Sequence, residues 1–293
     1  MRIWALDDRT FDHCGIELHT AAKARGYAST LFRDAAEVTD PGYVFTRLCQ
    51  TQPRLTYDRG VYRDLASREG IRCIQDLWQV EAYEDKGVQT KLWGDFMPTT
   101  CVRYSRPQLR NGEYMLPFPI ISKSFIGSAS HNVRILNNAE QAEKELNLIF
   151  SPSGMKVTSG VQKNYVLWQE FVPHTCTYRV TLVGRYVHVY KRFNYLDRPM
   201  AAPSKVIRTQ PLKMSSEVES LLEFCEKFFA AANTKWCAID VLKNPTGGWK
   251  LLETALGWAR GDDESGNAKF YGSKWSLLTQ HELLLDEMQD GVF

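Results

Sequence analysis

Two lysines precede segments that suit phosphate binding. Lys86 follows Glu84 and Asp85, and Lys123 ends an apolar run that leads into the small-residue segment 124–130. A fixed ammonium group and the backbone N–H groups of such a segment together neutralise phosphate oxygens. Taken alone, such a lysine is much more often a solvated residue at the end of a strand. The pattern therefore predicts a phosphate site only in combination with other groups.

Two arginines fall on neighbouring strands of a predicted hairpin. Arg179 lies in Tyr178–Val183 and Arg192 lies in Tyr186–Phe193, and the two residues between these segments predict a tight antiparallel turn. Side chains on adjacent strands can project onto one face, where two guanidinium groups bind a phosphate or a carboxylate through paired N–H donors. The alternative is a pair of exposed strand cations.

Two carboxylates occupy a second predicted strand pair. Asp240 lies inside the apolar segment Cys237–Leu242, and Glu253 ends the segment Trp249–Glu253. A carboxylate within such a strand is costly to bury unless it is paired or binds a cation. Carboxylates from adjacent strands predict a Mg²⁺ site shared with phosphate groups, and the alternative is a structural ion pair.

The N-terminal elements alternate between strand and helix. Short apolar strands and amphipathic helices of this length predict a parallel α/β sheet that closes near residue 80. The predicted strands are Arg2–Leu6, Ser29–Phe32, Tyr43–Leu48 and Ile71–Ile74, and the predicted helices are Ile16–Arg25 and Tyr62–Glu69.

The pattern beyond Lys91 changes to strands rich in β-branched and aromatic residues, which favours hairpins. We expect further strands at Ile120–Lys123 and Tyr165–Val172, and helices at Asn138–Phe150, Glu217–Ala232 and Ser276–Met288. Ser216 and Glu219 have the spacing of a capping box at the start of the second of these helices. Residues 97–119, 151–160, 194–213 and 257–275 are predicted to be irregular.

Composition limits the class of partner. The 293 residues carry 36 Lys and Arg against 34 Asp and Glu, a formal net charge of +2, with no basic block typical of an extensive nucleic-acid surface. Seven scattered cysteines without metal-ligand spacing favour reduced thiols. No apolar run approaches the ~18 residues of a membrane span. We therefore expect a cytoplasmic protein that does not interact with a membrane.

The order of these features resembles the ATP-grasp superfamily, which includes the ribosomal-protein glutamate ligases and the glutathione synthetases. The resemblance extends from about residue 1 to residue 258. It implies a fold of mixed α/β and α+β type, in which an N-terminal Rossmann-like domain precedes two α+β subdomains that enclose ATP. The corresponding boundaries are 1–80, 81–168 and 169–293.

The resemblance also implies roles for individual residues. Lys86 and Lys123 are similar to the two nucleotide lysines, and Gly127 and Ser128 belong to the segment that matches the phosphate loop. The segment that resembles the adenine-binding hinge consists of Gln169, Glu170, Phe171 and Val172. The catalytic arginines are implied to be Arg179 and Arg192, and the Mg²⁺ ligands Asp240 and Glu253.

Two departures from the family pattern affect these implications. The last metal motif of the family reads Glu-x-Asn, whereas this chain has Glu253 followed by Thr254 and Ala255. The segment that matches the phosphate loop also contains less glycine than is usual. Either a second Mg²⁺ is held differently, with Asp262, Asp263 and Asn267 as candidates, or catalysis is altered or absent.

The function implied by the resemblance is an ATP- and Mg²⁺-dependent ligase that joins a carboxylate to an amine through an acyl phosphate, with ADP and phosphate as products. Its partners are small-molecule or peptide carboxylates and amines. The substitution of the expected Asn by Ala255 keeps two alternatives open: a kinase on the same fold, and a nucleotide-binding regulatory protein without turnover.

Overall fold

The computed structural model describes most of the chain in eleven stretches. The site residues Gly127 and Ser128 lie outside the described residues, as do Asp262, Asp263 and Asn267. The described stretches are 1–7, 14–46, 48–49, 54–109, 116–126, 132–158, 160–193, 209–210, 214–256, 270–271 and 280–293.

The N-terminal sheet has four parallel strands in the order β2-β1-β3-β4. This arrangement confirms the predicted alternation of strands and helices, although the second helix begins eight residues earlier than its apolar spacing predicts. The elements are β1 (Arg2–Leu6), α1 (Cys14–Ala24), β2 (Ala28–Phe32), β3 (Gly42–Phe45), α2 (Arg54–Ala66) and β4 (Ile71–Cys73).

A second sheet follows in the middle of the chain. Its four strands are antiparallel in the order β5-β10-β6-β7, and helix α5 packs on it through Leu146 and Ile149. The elements are α3 (Leu77–Ala82), α4 (Lys86–Trp93), β5 (Thr100–Arg103), β6 (Ile120–Lys123), β7 (Val133–Leu136), α5 (Ala139–Ile149), the paired β8 (Met155–Val157) and β9 (Gly160–Gln162), and β10 (Val166–Glu170).

The third sheet is the largest and carries the candidate arginines and carboxylates. Its strands run antiparallel in the order β13-β12-β11-β14-β15, with β16 paired to β12, and α6 packs against one face. The elements are β11 (Cys176–Val183), β12 (Tyr186–Phe193), β13 (Thr209–Gln210), α6 (Ser216–Ala232), β14 (Trp236–Lys243), β15 (Trp249–Ala255), β16 (Phe270–Tyr271) and α7 (Gln280–Gln289).

Several local predictions were wrong. Strand β5 lies within 97–119, and β8 lies within 151–160, two segments that were predicted to be irregular. Helix α6 is capped by Ser215 instead of Ser216, because the Ser215 hydroxyl accepts the N–H of Val218. The N3 position is therefore Val218, which has no side-chain acceptor for a reciprocal capping box.

Helix α7 fastens the N-terminal sheet to the largest sheet. Its Leu284 and Met288 pack in one apolar cluster with Ile3 of β1 and Trp236 of β14. The buried Glu287 of α7 forms an ion pair with Arg185, which lies in the β11–β12 turn. No helix among the described residues is both long enough and apolar enough to cross a membrane.

Candidate active site

One buried carboxylate lies between two guanidinium groups on the largest sheet. Asp240 on β14 is directly opposite Arg179 on β11, and Arg179 Nη1 lies 3.1 Å from Asp240 Oδ1. Arg192 on β12 donates from Nη1 to both carboxylate oxygens of Asp240, at 3.1 Å each. The two arginines predicted to share a face therefore meet on Asp240, and the predicted alternative of exposed strand cations is wrong for the buried Arg179.

The surroundings of Asp240 keep it ionised. Burial raises the pKa of its carboxyl group, since Asp240 is only 8% exposed. The charges of Arg179 and Arg192 outweigh burial and hold the pKa of Asp240 below its usual value. The structural ion pair that the sequence left open is thus present, and it joins three neighbouring strands.

Glu253 on β15 brings a second carboxylate next to Asp240. The two residues are cross-strand partners, and the strand register shifts immediately beyond Asp240. The Glu253 side chain is 37% exposed, and its Oε2 lies 3.9 Å from Lys86 Nζ. Glu253 is therefore more accessible to a ligand than Asp240, and it links the largest sheet to helix α4.

The donor set at these two carboxylates suits Mg²⁺ shared with a polyanion. Mg²⁺ in proteins commonly takes one or two carboxylates and completes its octahedron with water and substrate phosphates. Among the described residues, no group of three or more His, Cys, Asp and Glu side chains is placed to hold a metal. Asp240 and Glu253 therefore fit a metal that is bound together with phosphate, and do not form an all-protein cage.

Lys86 is positioned by the start of helix α4. The Asp85 side chain caps this helix by accepting the N–H of Val88 at 3.0 Å, and the Lys86 N–H donates to the Phe125 carbonyl at 2.8 Å. The second bond ties α4 to the chain two residues beyond Lys123. The Lys86 side chain is 12% exposed and approaches Glu253.

Lys123 is buried at the end of β6 and is held by the neighbouring strand. Its ammonium group donates to Gln169 Oε1 at 2.7 Å, and Gln169 Nε2 donates to the Thr100 hydroxyl at 2.9 Å. Burial and then the nearby charge of Lys86 lower the pKa of Lys123 to about 8, whereas Glu253 opposes this shift. Lys123 therefore remains charged at pH 7, close to both Lys86 and Glu253.

The predicted hinge segment, residues 169–172, includes the end of β10 and the start of the link to β11. Glu170 pairs with Thr99, since the Glu170 N–H donates to the Thr99 carbonyl at 2.8 Å and the Thr99 N–H donates to Glu170 Oε2 at 3.2 Å. Phe171 is half-buried and Val172 is buried. The Val172 carbonyl accepts from His174 Nδ1 at 2.7 Å. The Glu170 side chain thus holds the hinge onto residue 99.

Sequence reasoning missed two polar residues that support the cations. The Tyr190 hydroxyl accepts from Arg192 Nη2 at 2.7 Å, and the Arg192 guanidinium lies over the Tyr190 ring, 5.1 Å from its centroid. The period-2 alternation of β12 places these two side chains on one face, so this contact was accessible to sequence reasoning. Thr100 accepts a hydrogen bond from Gln169, but it lies in a segment that was predicted to be irregular. No strand alternation in the sequence therefore indicated its position.

The structure brings together six of the candidate residues from helix α4 and two sheets. Lys86 and Lys123 approach from the middle of the chain, and the arginines and carboxylates come from the largest sheet. Four cationic groups outnumber two carboxylates, which makes this site complementary to a compact polyanion.

Solved structures match the chain along nearly its whole length. A RimK-domain ATP-grasp protein from Sphaerobacter thermophilus is 16% identical, with a TM-score of 0.62 and 98% of each chain covered. The D-alanine–D-alanine ligase of Bacillus anthracis is 12% identical, with a TM-score of 0.63 and with 99% of this chain and 96% of that chain covered. The ATP-grasp ligase PsnB, in complex with a minimal precursor, Mg and ADP, is 16% identical, with a TM-score of 0.60 and with 98% of this chain and 97% of that chain covered.

Sequence comparisons add no closer assignment. No known family profile matches the sequence, and no curated protein sequence matches it. The structural matches nevertheless show that this chain has the ATP-grasp fold, as the order of its candidate residues predicts.

The two carboxylates are expected to differ in their effect on stability. Asp240→Asn leaves two largely buried guanidinium groups without their counter-charge and lowers the free energy of unfolding by about 3 kcal/mol. Glu253→Gln removes a more exposed charge and costs less than about 1 kcal/mol. Urea unfolding followed by tryptophan fluorescence measures both values. Equal losses in the two variants would contradict the assignment of Asp240 as the central counter-ion.

The buried Lys123 predicts a pH dependence of nucleotide affinity. Below pH 8 Lys123 is already charged in the free protein. Above pH 8 Lys123 must take up a proton when the nucleotide binds. The affinity for a non-hydrolysable ATP analogue should therefore fall about tenfold between pH 7 and pH 9. Calorimetry measures the affinity at each pH.

Two alanine variants control this measurement. Lys123→Ala is expected to bind the analogue weakly at both pH values, and with a flatter profile. Lys144→Ala removes a lysine on α5 that is 73% exposed, and should retain the wild-type profile. A pH step that persists in Lys123→Ala would assign the titration to another group.

Proposed function

We propose that this chain, which has the ATP-grasp fold, is an ATP- and Mg²⁺-dependent ligase that joins a carboxylate to an amine through an acyl phosphate. The observation that carries the proposal is the convergence of Lys86 and Lys123 with two arginines and two carboxylates. Such a set of fixed charges suits phosphoryl transfer, in which positioning and electrostatic stabilisation supply most of the catalysis.

The two lysines are the proposed phosphate ligands. Lys86 and Lys123 come from different elements, so a triphosphate between them gains neutralising charge from two directions. The proposed adenine contacts are backbone groups of the segment from Gln169 to Val172. The proposed domain boundaries are those of the family pattern, 1–80, 81–168 and 169–293. Gly127 and Ser128 keep their proposed role as the phosphate loop.

Asp240 and Glu253 are the proposed ligands of Mg²⁺. When bound, the ion would supply positive charge to the terminal phosphates. The proposed task of Asp240 is to stay ionised within the sheet, which its arginine neighbours ensure. Glu253 offers a more exposed carboxylate beside Lys86, so this glutamate and the lysine face the same phosphate region.

Arg179 and Arg192 are the proposed catalytic residues. Their guanidinium groups stabilise the terminal phosphoryl group as a substrate carboxylate oxygen attacks its phosphorus and the bond to ADP breaks. The product of this step is an acyl phosphate. An amine then attacks the acyl carbon, and inorganic phosphate leaves. Tyr190 fixes the orientation of Arg192 during both steps.

The proposed substrates are small-molecule or peptide carboxylates and amines. The neighbours support this range, because one is a ligase of D-alanine with D-alanine and another was solved with a minimal precursor. All seven cysteines are free thiols, which is typical of proteins in a reducing compartment. We therefore place the proposed reaction in the cytoplasm.

A hydroxylamine trap tests the proposal without knowledge of the amine substrate. The protein is incubated with ATP, Mg²⁺, hydroxylamine and a panel of amino acids and short peptides. Hydroxylamine attacks an acyl phosphate to give a hydroxamate. We expect hydroxamate and ADP to form in equal amounts for at least one carboxylate, and neither to form with Lys123→Ala.

The other outcomes separate the alternatives. ADP accompanied by a phosphorylated product that is stable to hydroxylamine would identify a kinase. Binding of the nucleotide without ADP formation for any acceptor would favour a regulatory protein. Both results would contradict the ligase assignment while leaving the nucleotide site in place.

A further inference from the structure

A buried glutamine connects helix α4 to the largest sheet. Gln89 is 2% exposed and is the buried residue of α4. Its Oε1 accepts the N–H of Thr254 at 2.9 Å, and its Nε2 donates to the Thr254 carbonyl at 3.1 Å. The same Nε2 donates to the Ala82 carbonyl at 2.9 Å. One side-chain amide therefore satisfies three backbone groups from two parts of the chain.

Gln89 takes the place of a neighbouring strand at the edge of the sheet. Strand β15 ends the strand order of the described sheet, so its outer N–H and C=O groups face away from β14. Thr254 is only 6% exposed, and its backbone groups need partners in the protein. The primary amide of glutamine offers one acceptor and two donors, which matches this requirement.

The position of Gln89 on helix α4 determines which side chains of the helix and of strand β15 approach each other. Lys86 lies three residues before Gln89, and side chains at that spacing share one face of a helix. Glu253 directly precedes Thr254. The hydrogen-bonded pair of Gln89 and Thr254 therefore fixes the register in which Lys86 reaches Glu253, at 3.9 Å.

We infer that Gln89 is a positioning residue that aligns Lys86 with Glu253 and thereby couples the two halves of the proposed nucleotide site. The inference rests on the proposed function, because it assigns a consequence to that alignment. Methionine has a similar shape but neither donates nor accepts strongly, so it breaks the alignment. Glutamate has no donor and would place a carboxylate beside the carbonyl groups of Thr254 and Ala82.

A second buried glutamine provides a matched control. Gln79 on α3 is 3% exposed and donates from Nε2 to the carbonyl of Trp236, the first residue of β14. Its Oε1 accepts the N–H of Asp76 at 2.7 Å. Trp236 lies four residues from Asp240, about 13 Å along the strand. Gln79 thus makes the same kind of helix-to-sheet contact away from the candidate site.

The experiment compares Gln89→Met with Gln79→Met in the full chain. Calorimetry measures the affinity for a non-hydrolysable ATP analogue with and without Mg²⁺, and thermal unfolding measures stability. Both variants are expected to lose stability. Gln89→Met should weaken Mg²⁺-dependent binding by at least about tenfold, and Gln79→Met by less than about twofold. In a Glu253→Gln background, Gln89→Met should have little further effect on binding, because the pair it aligns is already lost.

Equal effects of the two methionine variants on affinity would overturn the inference and leave Gln89 a structural residue. A full further loss in the Glu253→Gln background would overturn it as well. Failure of the wild-type chain to bind the analogue would instead refute the proposed function. If Gln89→Met does not fold, Gln89→Glu is measured against Gln79→Glu with the same criteria.

Discussion

The candidate site depends on the neutralisation of Asp240 within a buried strand. An ionised carboxylate at 8% exposure is stable only where opposite charges approach it, and Arg179 and Arg192 supply them from two adjacent strands. The order of strands β12, β11 and β14 meets this requirement. It also concentrates two guanidinium groups at the place where the proposed phosphoryl transfer occurs. The same cluster of ion pairs therefore stabilises the sheet and supplies the arginines of the proposed phosphoryl transfer.

Lys86 and Lys123, the other two cations of the site, are positioned by hydrogen bonds between separate parts of the chain. Lys86 is held by backbone contact with Phe125 and by the Gln89 contact with Thr254, and Lys123 is held by Gln169. These bonds involve polar groups that are largely removed from water, so each is costly to leave unsatisfied. They place two lysines opposite the arginine cluster, in a chain whose total charge is only +2.

Much of this arrangement follows from the sequence, because period-2 alternation and the two-residue turn define the β11–β12 hairpin and the shared face of its arginines. The ATP-grasp fold was also predicted and is confirmed. Sequence alone does not show that β14 pairs with β11, since that register joins residues 61 positions apart. The sequence pattern does not predict helix α4, because the buried residue of this helix is the polar Gln89 and no apolar stripe is present. The roles of the individual residues remain predictions.

A crystal structure with a non-hydrolysable ATP analogue and Mg²⁺ tests the central claim most directly. Our account predicts that the phosphate oxygens contact Lys86 and Lys123, and that the ion binds oxygens of Asp240 and Glu253 together with the phosphates. A nucleotide bound away from these lysines, or an ion that contacts neither carboxylate, would contradict it.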